Sequence, residues 1–276
     1  MAITDKLTSI ANAIRSKTGT TDTMTLDEMN NAIKNIQTGM VTSDNRCTTI
    51  PDYLFYNCTN LALTELPSGI TSIGDNAFYN CHNLALTELP SGLTYIGDSA
   101  FEGCTNLALT SLPSGVTSIG DSAFNGCVKL ALTELPSGVT SIGDSAFTSC
   151  TNLALTELPS GVTIIGWNAF FGCVKLALTE LPSGVTSIGY SAFSGCTSLA
   201  LTSLPSELNS IGVNAFKDCT GLTSLTFKGT PNTINSTAFI GCTNLTTINV
   251  PWAEGAVENA PWGATNATIN YNYVAV

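Results

Sequence analysis

Apolar residues fall on a 23-residue frame through most of the chain. Across residues 61–83 they stand at Leu61, Leu63, Leu66, Ile70, Ile73, Ala77, Phe78 and Cys81, separated by Thr, Glu, Ser, Gly, Asp and Asn. The same order returns without a slip. Phe55 is followed at equal steps by Phe78, Phe101, Phe124, Phe147, Phe170, Phe193, Phe216 and Phe239. Cysteine keeps time with it at Cys58, Cys81, Cys104, Cys127, Cys150, Cys173, Cys196, Cys219 and Cys242. A period of roughly 20–50 residues marks a solenoid or repeat array, because one unit is too short to bury its own apolar face and must stack on its neighbours.

The pattern also predicts elements within each unit. LALTELP reads as the strand lining one face, ended by Pro67 and its equivalents, since proline cannot donate to a ladder. Ser-Gly makes a turn. A second extended piece, VTSIG, leads to Asp-Ser-Ala-Phe, where Asp is expected to cap a single helical turn that drives Phe and then Cys inward. Leu, Ile, Ala, Phe and Cys then form columns along the axis. With coils about 4.8 Å apart, nine of them span on the order of 40 Å. The expected fold is mainly β with short helical turns, over residues 40–249; 40–49 form a polar bridge into the first repeat.

Both ends leave the frame. Ile3, Leu7, Ile10 and Ile14 are spaced for one helical face, as are Leu26, Met29, Ile33 and Ile36 after the capping-box pattern Thr25-Leu-Asp-Glu28. Residues 1–39 therefore predict a small helical hairpin, too short to stand alone. It is expected to shield the first repeat or to attach the protein to something else. Residues 250–276 predict a C-terminal cap, with Trp252 and Trp262 in two Pro-Trp pairs and an alternating closing strand from Thr268 to Tyr273.

The motif Ala-Phe-x-x-Cys-x-x-Leu, followed by Leu-Pro-x-x-Val-x-x-Ile-Gly, resembles the BspA-like leucine-rich repeat family of bacterial surface antigens. The resemblance implies a right-handed leucine-rich-repeat solenoid with parallel strands, used for adhesion and binding, with no enzymatic role. One feature departs from the family. Thr64, Thr87 and their equivalents stand where the family has an apolar residue, and Leu63 or Leu86 stands one place earlier. A shift of one residue turns a side chain to the other face, so the strand register in these units is open. The last units, with Leu222, Leu225, Phe227 and Leu245, Ile248, Val250, return to the family spacing.

Two terminal segments carry a second resemblance. Residues 7–29 (LTSIANAIRSKTGTTDTMTLDEM) look like a segment of bacteriophage tail-type proteins, and residues 250–265 (VPWAEGAVENAPWGAT) like the ending of phage-type repeat proteins. This implies a virion structural or receptor-binding component, assembled in the host cytoplasm. Its partners would be other virion proteins through residues 1–39, and a host surface protein or glycan; self-association is a further expectation. The competing classes are a bacterial cell-surface adhesin and an intracellular scaffold.

Composition narrows the partners. Of 276 residues only 11% are charged, and the formal net charge is -11. Nucleic acid and anionic membrane need Lys and Arg to neutralise phosphates, so neither is expected. No run of about 18 apolar residues occurs and the N-terminus lacks an apolar signal core, so neither membrane insertion nor a secretory signal is expected.

Candidate chemistry is sparse. Nine cysteines at one stacked position point the same way about 4.8 Å apart, whereas a disulfide brings Cβ atoms to about 3.8 Å. A ladder of reduced thiols acting as small apolar groups is expected, with Cys47 outside it. Glu65, Glu88, Glu134, Glu157 and Glu180 share one column, and Asp75, Asp98, Asp121 and Asp144 another. Each coil offers one carboxylate per column and no calcium-loop motif appears, so these predict solvated capping residues and no metal. His82 is the only histidine and lies in no nucleophile motif. No catalytic residue and no cofactor are expected. The informative differences lie where the Asp column gives way to Trp167, Tyr190 and Val213, and where Phe171 follows Phe170. Ile164, Trp167, Phe171 and Tyr190 are the candidate binding residues, because clustered apolar exposure marks interaction sites.

Overall fold

The computed structural model describes residues 48–274. The expected helical hairpin with Ile3, Leu7, Ile10, Ile14, Leu26, Met29, Ile33 and Ile36 lies outside the described residues, as do most of the bridge and Cys47. The described part is a parallel-strand solenoid. Strands β1 (Thr49–Ile50), β2 (Ser72–Ile73), β3 (Tyr95–Ile96), β4 (Ser118–Ile119) and β5 (Ser141–Ile142) pair in that order. On the same face, β6 (Ile164–Ile165), β7 (Ser187–Ile188), β9 (Ser210–Ile211) and β11 (Thr233–Ile234) form a second sheet. No pairing joins β5 to β6. A third sheet on another face contains β8 (Ser203–Leu204), β10 (Ser224–Phe227), β12 (Thr247–Asn249) and β13 (Thr268–Asn270).

Only one of the LALTELP-type segments holds a strand, at β8 within residues 199–205. In the first two sheets the strands come from VTSIG, whose Ile is buried in every coil while the preceding residue faces outward or half outward. In LALTELP, Leu61 and Leu63 are both buried, and then Thr64 and Glu65 are both exposed. Two consecutive outward residues break the alternation a strand requires, and the proline that follows removes a donor. What remains in the other coils is one backbone bond each, from Ala85 N–H to Leu63 O at 3.0 Å through Ala177 N–H to Leu155 O at 3.0 Å; the coil of β8 has two, Ala200 N–H to Leu178 O at 3.1 Å and Thr202 N–H to Thr179 O at 3.2 Å. The register is thereby resolved: the Leu63 column points inward and the Thr64 column outward. The spacing of Leu222, Leu225 and Phe227 restores alternation, and β10 forms there.

The helical turn is also corrected: no helix occurs among the described residues. After each Asp the backbone alternates in hand, with positive φ at Ser122 (53°) and Gly126 (74°) and at the matching Ser, Asn, Gly or Asp of other coils. These residue types tolerate the left-handed region best. The alternation sends every second N–H to the next coil: Ser122 to Asp144 O at 2.8 Å, Phe124 to Ala146 O at 2.9 Å, Gly126 to Thr148 O at 2.8 Å. The amides between them close turns within the coil, as Cys127 N–H does on Phe124 O at 3.0 Å. A helix would bond along its own axis and leave the stacked coils unlinked on this face.

The interior consists of columns, as the period predicts. The nine Phe rings stack with centroids 5.1–5.6 Å apart and planes 3–12° from parallel. The ladder cysteines from Cys58 to Cys242 are buried, and they do more than fill space. Each thiol from Cys81 to Cys242 donates to the Phe carbonyl of the preceding coil, as Cys150 does to Phe124 O at 3.1 Å. Burial pushes the thiol pKa up, to about 12 at Cys242 and further at Cys127, Cys150, Cys196 and Cys219.

At the C-terminal end the segment after the last repeat packs onto the core. Trp252 and Trp262 are buried, and Phe227 meets both rings at centroid distances of 5.3 and 6.0 Å. Trp262 O accepts Phe239 N–H at 2.9 Å, taking over the role the next coil would have had. The closing strand is β13, parallel to β12 and ending at Asn270, short of Tyr273.

Candidate binding groove on the strand face

The Asp column reads as a set of caps in the sequence, but in the structure it staples coils together. Asp52 Oδ1 accepts the N–H of Asp75 at 2.9 Å, Asp75 that of Asp98 at 2.9 Å, Asp98 that of Asp121 at 2.8 Å, and Asp121 that of Asp144 at 2.7 Å. Asp144 Oδ1 accepts from Trp167 N–H at 2.7 Å, and there the series ends. The next residues of the column are Tyr190 and Val213, whose own amides have no such acceptor among the described residues.

The end of the staples coincides with an open groove of about 520 Å³. Its floor is the second sheet: Ser187 and Ile188 from β7, Ser210 and Ile211 from β9, Thr233 and Ile234 from β11. Gly189 and Gly212 extend the floor, Trp167, Tyr190 and Val213 line one side, and Asn235 and Asn259 complete it. Asn259 comes from the C-terminal cap, where the chain adopts positive φ (66°). No carboxylate or ammonium lies among the lining residues.

The four candidate residues divide into two sets. Trp167 and Tyr190 are exposed by 64% and 48% and line the groove together. Ile164 (57%) and Phe171 (41%) are equally accessible but outside the lining: Ile164 is in β6 opposite Ser187, and Phe171 lies on the turn face, where its carbonyl accepts Ser149 N–H. The floor residues Ser187, Ser210 and Thr233 belong to the ordinary repeat, and only stacking reveals them as neighbours. Asn259 carries no signal in the sequence, since it lies beyond the last repeat. The acidic Glu65, Glu88, Glu134, Glu157 and Glu180 are exposed on the LALTELP face, away from this groove.

With the fold and groove in place, comparison with known proteins identifies the repeat. The family described as BspA type leucine rich repeat region matches residues 29–154 and 152–259, in six copies. The chain belongs to the BspA-type leucine-rich repeat family. A leucine-rich repeat protein from Bacteroides ovatus is similar at 25% identity and a TM-score of 0.59, over 81% of this chain and 64% of that one. This chain thus spans 64% of the length of the Bacteroides protein. A leucine rich repeat protein of T. pallidum shares 34% identity over 55% of this chain and 71% of its own, with a TM-score of 0.46. A leucine rich cell surface protein from Faecalibacterium prausnitzii shares 24% identity over 82% and 83% of the two chains, with a TM-score of 0.49. No curated protein matches the sequence. The phage-tail resemblance of the two ends is not among these likenesses.

Proposed function

We propose that this BspA-type solenoid is a non-enzymatic binding protein of the bacterial surface-repeat kind, and that the Trp167–Tyr190 groove holds its partner. The observation that carries the reading is the replacement of a stapling Asp by exposed aromatic rings, at the point where a groove opens on the strand face. An Asp at these positions stabilises the stack; Trp and Tyr give that up and expose apolar area to water. Such rings supply large rigid contact area to a partner. Polar hydroxyls on the floor would orient what the rings hold.

The double variant Trp167→Asp with Tyr190→Asp returns the column to its earlier residue type, so folding should survive. Binding to bacterial or host cells should weaken by about 1–2 kcal/mol or more, the order expected of aromatic hot spots. Unchanged cell binding by a folded double variant overturns the reading.

A second reading keeps the same groove on a virion component. It rests on residues 7–29 and 250–265, whose sequences resemble phage-type proteins, with residues 1–39 as the attachment module. Mass spectrometry of purified particles tests it: the protein must be present, and deletion of residues 1–39 must remove it. Absence from particles discards the virion and leaves the solenoid's binding role.

A further inference from the structure

We infer that the groove takes a neutral oligosaccharide, with a sugar ring against Trp167 and a sugar oxygen on the Val213 amide. The inference rests on the groove being the binding surface and goes on to its ligand chemistry. In the earlier coils each column N–H is held by an Asp carboxylate, and the Asp Oδ1 also fills the space beside the next coil's glycine. At Gly189 that space is taken instead by Trp167 Cδ1, which a Cβ added there would approach to 2.7 Å. At Gly212 the three nearest atoms are all backbone, at 2.8–3.0 Å, so no side-chain atom comes as close as the Asp oxygen does in the earlier coils. The Val213 amide beside it has no acceptor among the described residues, where an Asp at position 190 would have supplied one. The matching seat at the Tyr190 amide is covered by Trp167, so the Val213 amide is the donor left to a ligand.

A ligand for this site must bring acceptor oxygens and an apolar face, and charge decides between the candidates. The lining holds hydroxyls and amides (Ser187, Ser210, Thr233, Asn235, Asn259) and no cation to meet an acid. Asp144, the last of the stapling aspartates, bonds the Trp167 amide at its edge, and the whole chain carries a net charge of -11. A carboxylate ligand would be repelled with no compensating partner. A neutral pyranose chain meets each requirement: ring and hydroxyl oxygens accept, hydroxyls donate to Ser, Thr and Asn oxygens, and the C–H face covers an indole. The groove's open form suits a chain lying across the coils.

The full chain should be applied to an array of neutral, uronic-acid and sialic-acid oligosaccharides, with Trp167→Ala, Tyr190→Phe and Tyr190→Asp beside it. Neutral oligosaccharides should bind, Trp167→Ala should weaken them at least roughly tenfold, and Tyr190→Phe, which keeps the ring and loses only the hydroxyl, should weaken them less than Trp167→Ala does. Tyr190→Asp should abolish binding, because its carboxylate would occupy the Val213 amide. Melting curves for each variant separate lost binding from lost fold. Preference for the acidic sugars, or binding that ignores all three substitutions, overturns the assignment. Cell binding that survives periodate oxidation of the target yet is lost in Trp167→Ala also overturns it, while leaving the groove as a protein-binding surface. Loss of binding on periodate treatment supports it.

Discussion

The thiol ladder makes the solenoid sensitive to alkali. Cys104, Cys127, Cys150, Cys173, Cys196, Cys219 and Cys242 all have thiol pKa values raised by burial, with neighbouring thiols adding to the effect at several positions. In the unfolded chain they titrate near the ordinary value of about 8.5. A raised folded pKa means the folded state holds protons that the unfolded state releases, so stability is complete below about pH 8.5 and declines as pH rises toward the folded values. One unit above the unfolded pKa the loss is a little over 1 kcal/mol per thiol, or roughly 7–10 kcal/mol for the seven. That is comparable with the whole stability of a typical domain, about 5–15 kcal/mol. Because each coil touches only its neighbours, the loss should begin at the ends and broaden the transition. The assay is unfolding by urea, followed by circular dichroism in a non-thiol reductant, between about pH 7.5 and pH 9.5, below the tyrosine and lysine range. Cys150→Ala should flatten the pH dependence by one thiol's share, roughly 1 kcal/mol per pH unit. Stability that stays level across this window, or an unchanged slope in Cys150→Ala, would refute the buried-ladder argument.

Other outcomes follow from single contacts. Asp121→Ala removes the acceptor for Asp144 N–H and should cost about 1 kcal/mol in a thermal melt, whereas Asp121→Asn keeps an acceptor oxygen and should cost less. Gly143→Ala would put a Cβ 2.5 Å from Asp121 N and 2.6 Å from Gly120 C, both backbone, so it should destabilise by several kcal/mol. Gly138→Ala meets nothing nearer than Thr117 Cγ2 at 3.8 Å and should be neutral within about 1 kcal/mol, a difference that melts of the two variants would expose. Blocking free thiols in denaturant and then reducing should reveal almost no disulfide among the ladder cysteines; several would contradict the parallel stack.

The period made the core legible, but not the hydrogen bonding between coils. Phe, Cys, Ile and Leu columns can be read from spacing because identical steps bring identical side chains together. Which segment forms the strand depends on backbone donors that reach a residue 23 positions away, and side-chain pattern only hints at it. LALTELP is rich in apolar residues, yet its paired Thr-Glu turns outward and leaves one bond per coil; VTSIG is shorter but alternates. The Asp column misled for a related reason. An Asp before Ser-Ala-Phe has the local form of a helix cap, and its true acceptor role becomes visible only when the next coil is stacked above. The thiol bond to a Phe carbonyl, 26 positions back, is hidden in the same way. Trp167 and Tyr190 were legible because they violate a repeated position. Asn259 was not, because outside the repeats there is no rule for it to violate.

That violation is tolerable for a reason built into the architecture. In a globular domain, removing a hydrogen-bonded carboxylate disturbs packing in several directions, whereas in a solenoid each coil answers only to the two beside it. The coils around Tyr190 and Val213 can therefore lose their Asp staples while Phe170, Phe193 and Phe216 keep their stack at 5.4–5.5 Å. The change is confined to the surface of the strand face, and the strand pairing already breaks beside it, between β5 and β6. The proposed binding residues stand where the repeat can surrender a surface bond without touching its core. If the proposed groove is the binding surface, the uniform coils from Asp75 to Asp144 act as a spacer, and exchanging one of them for a copy of its neighbour should leave both stability and binding unchanged.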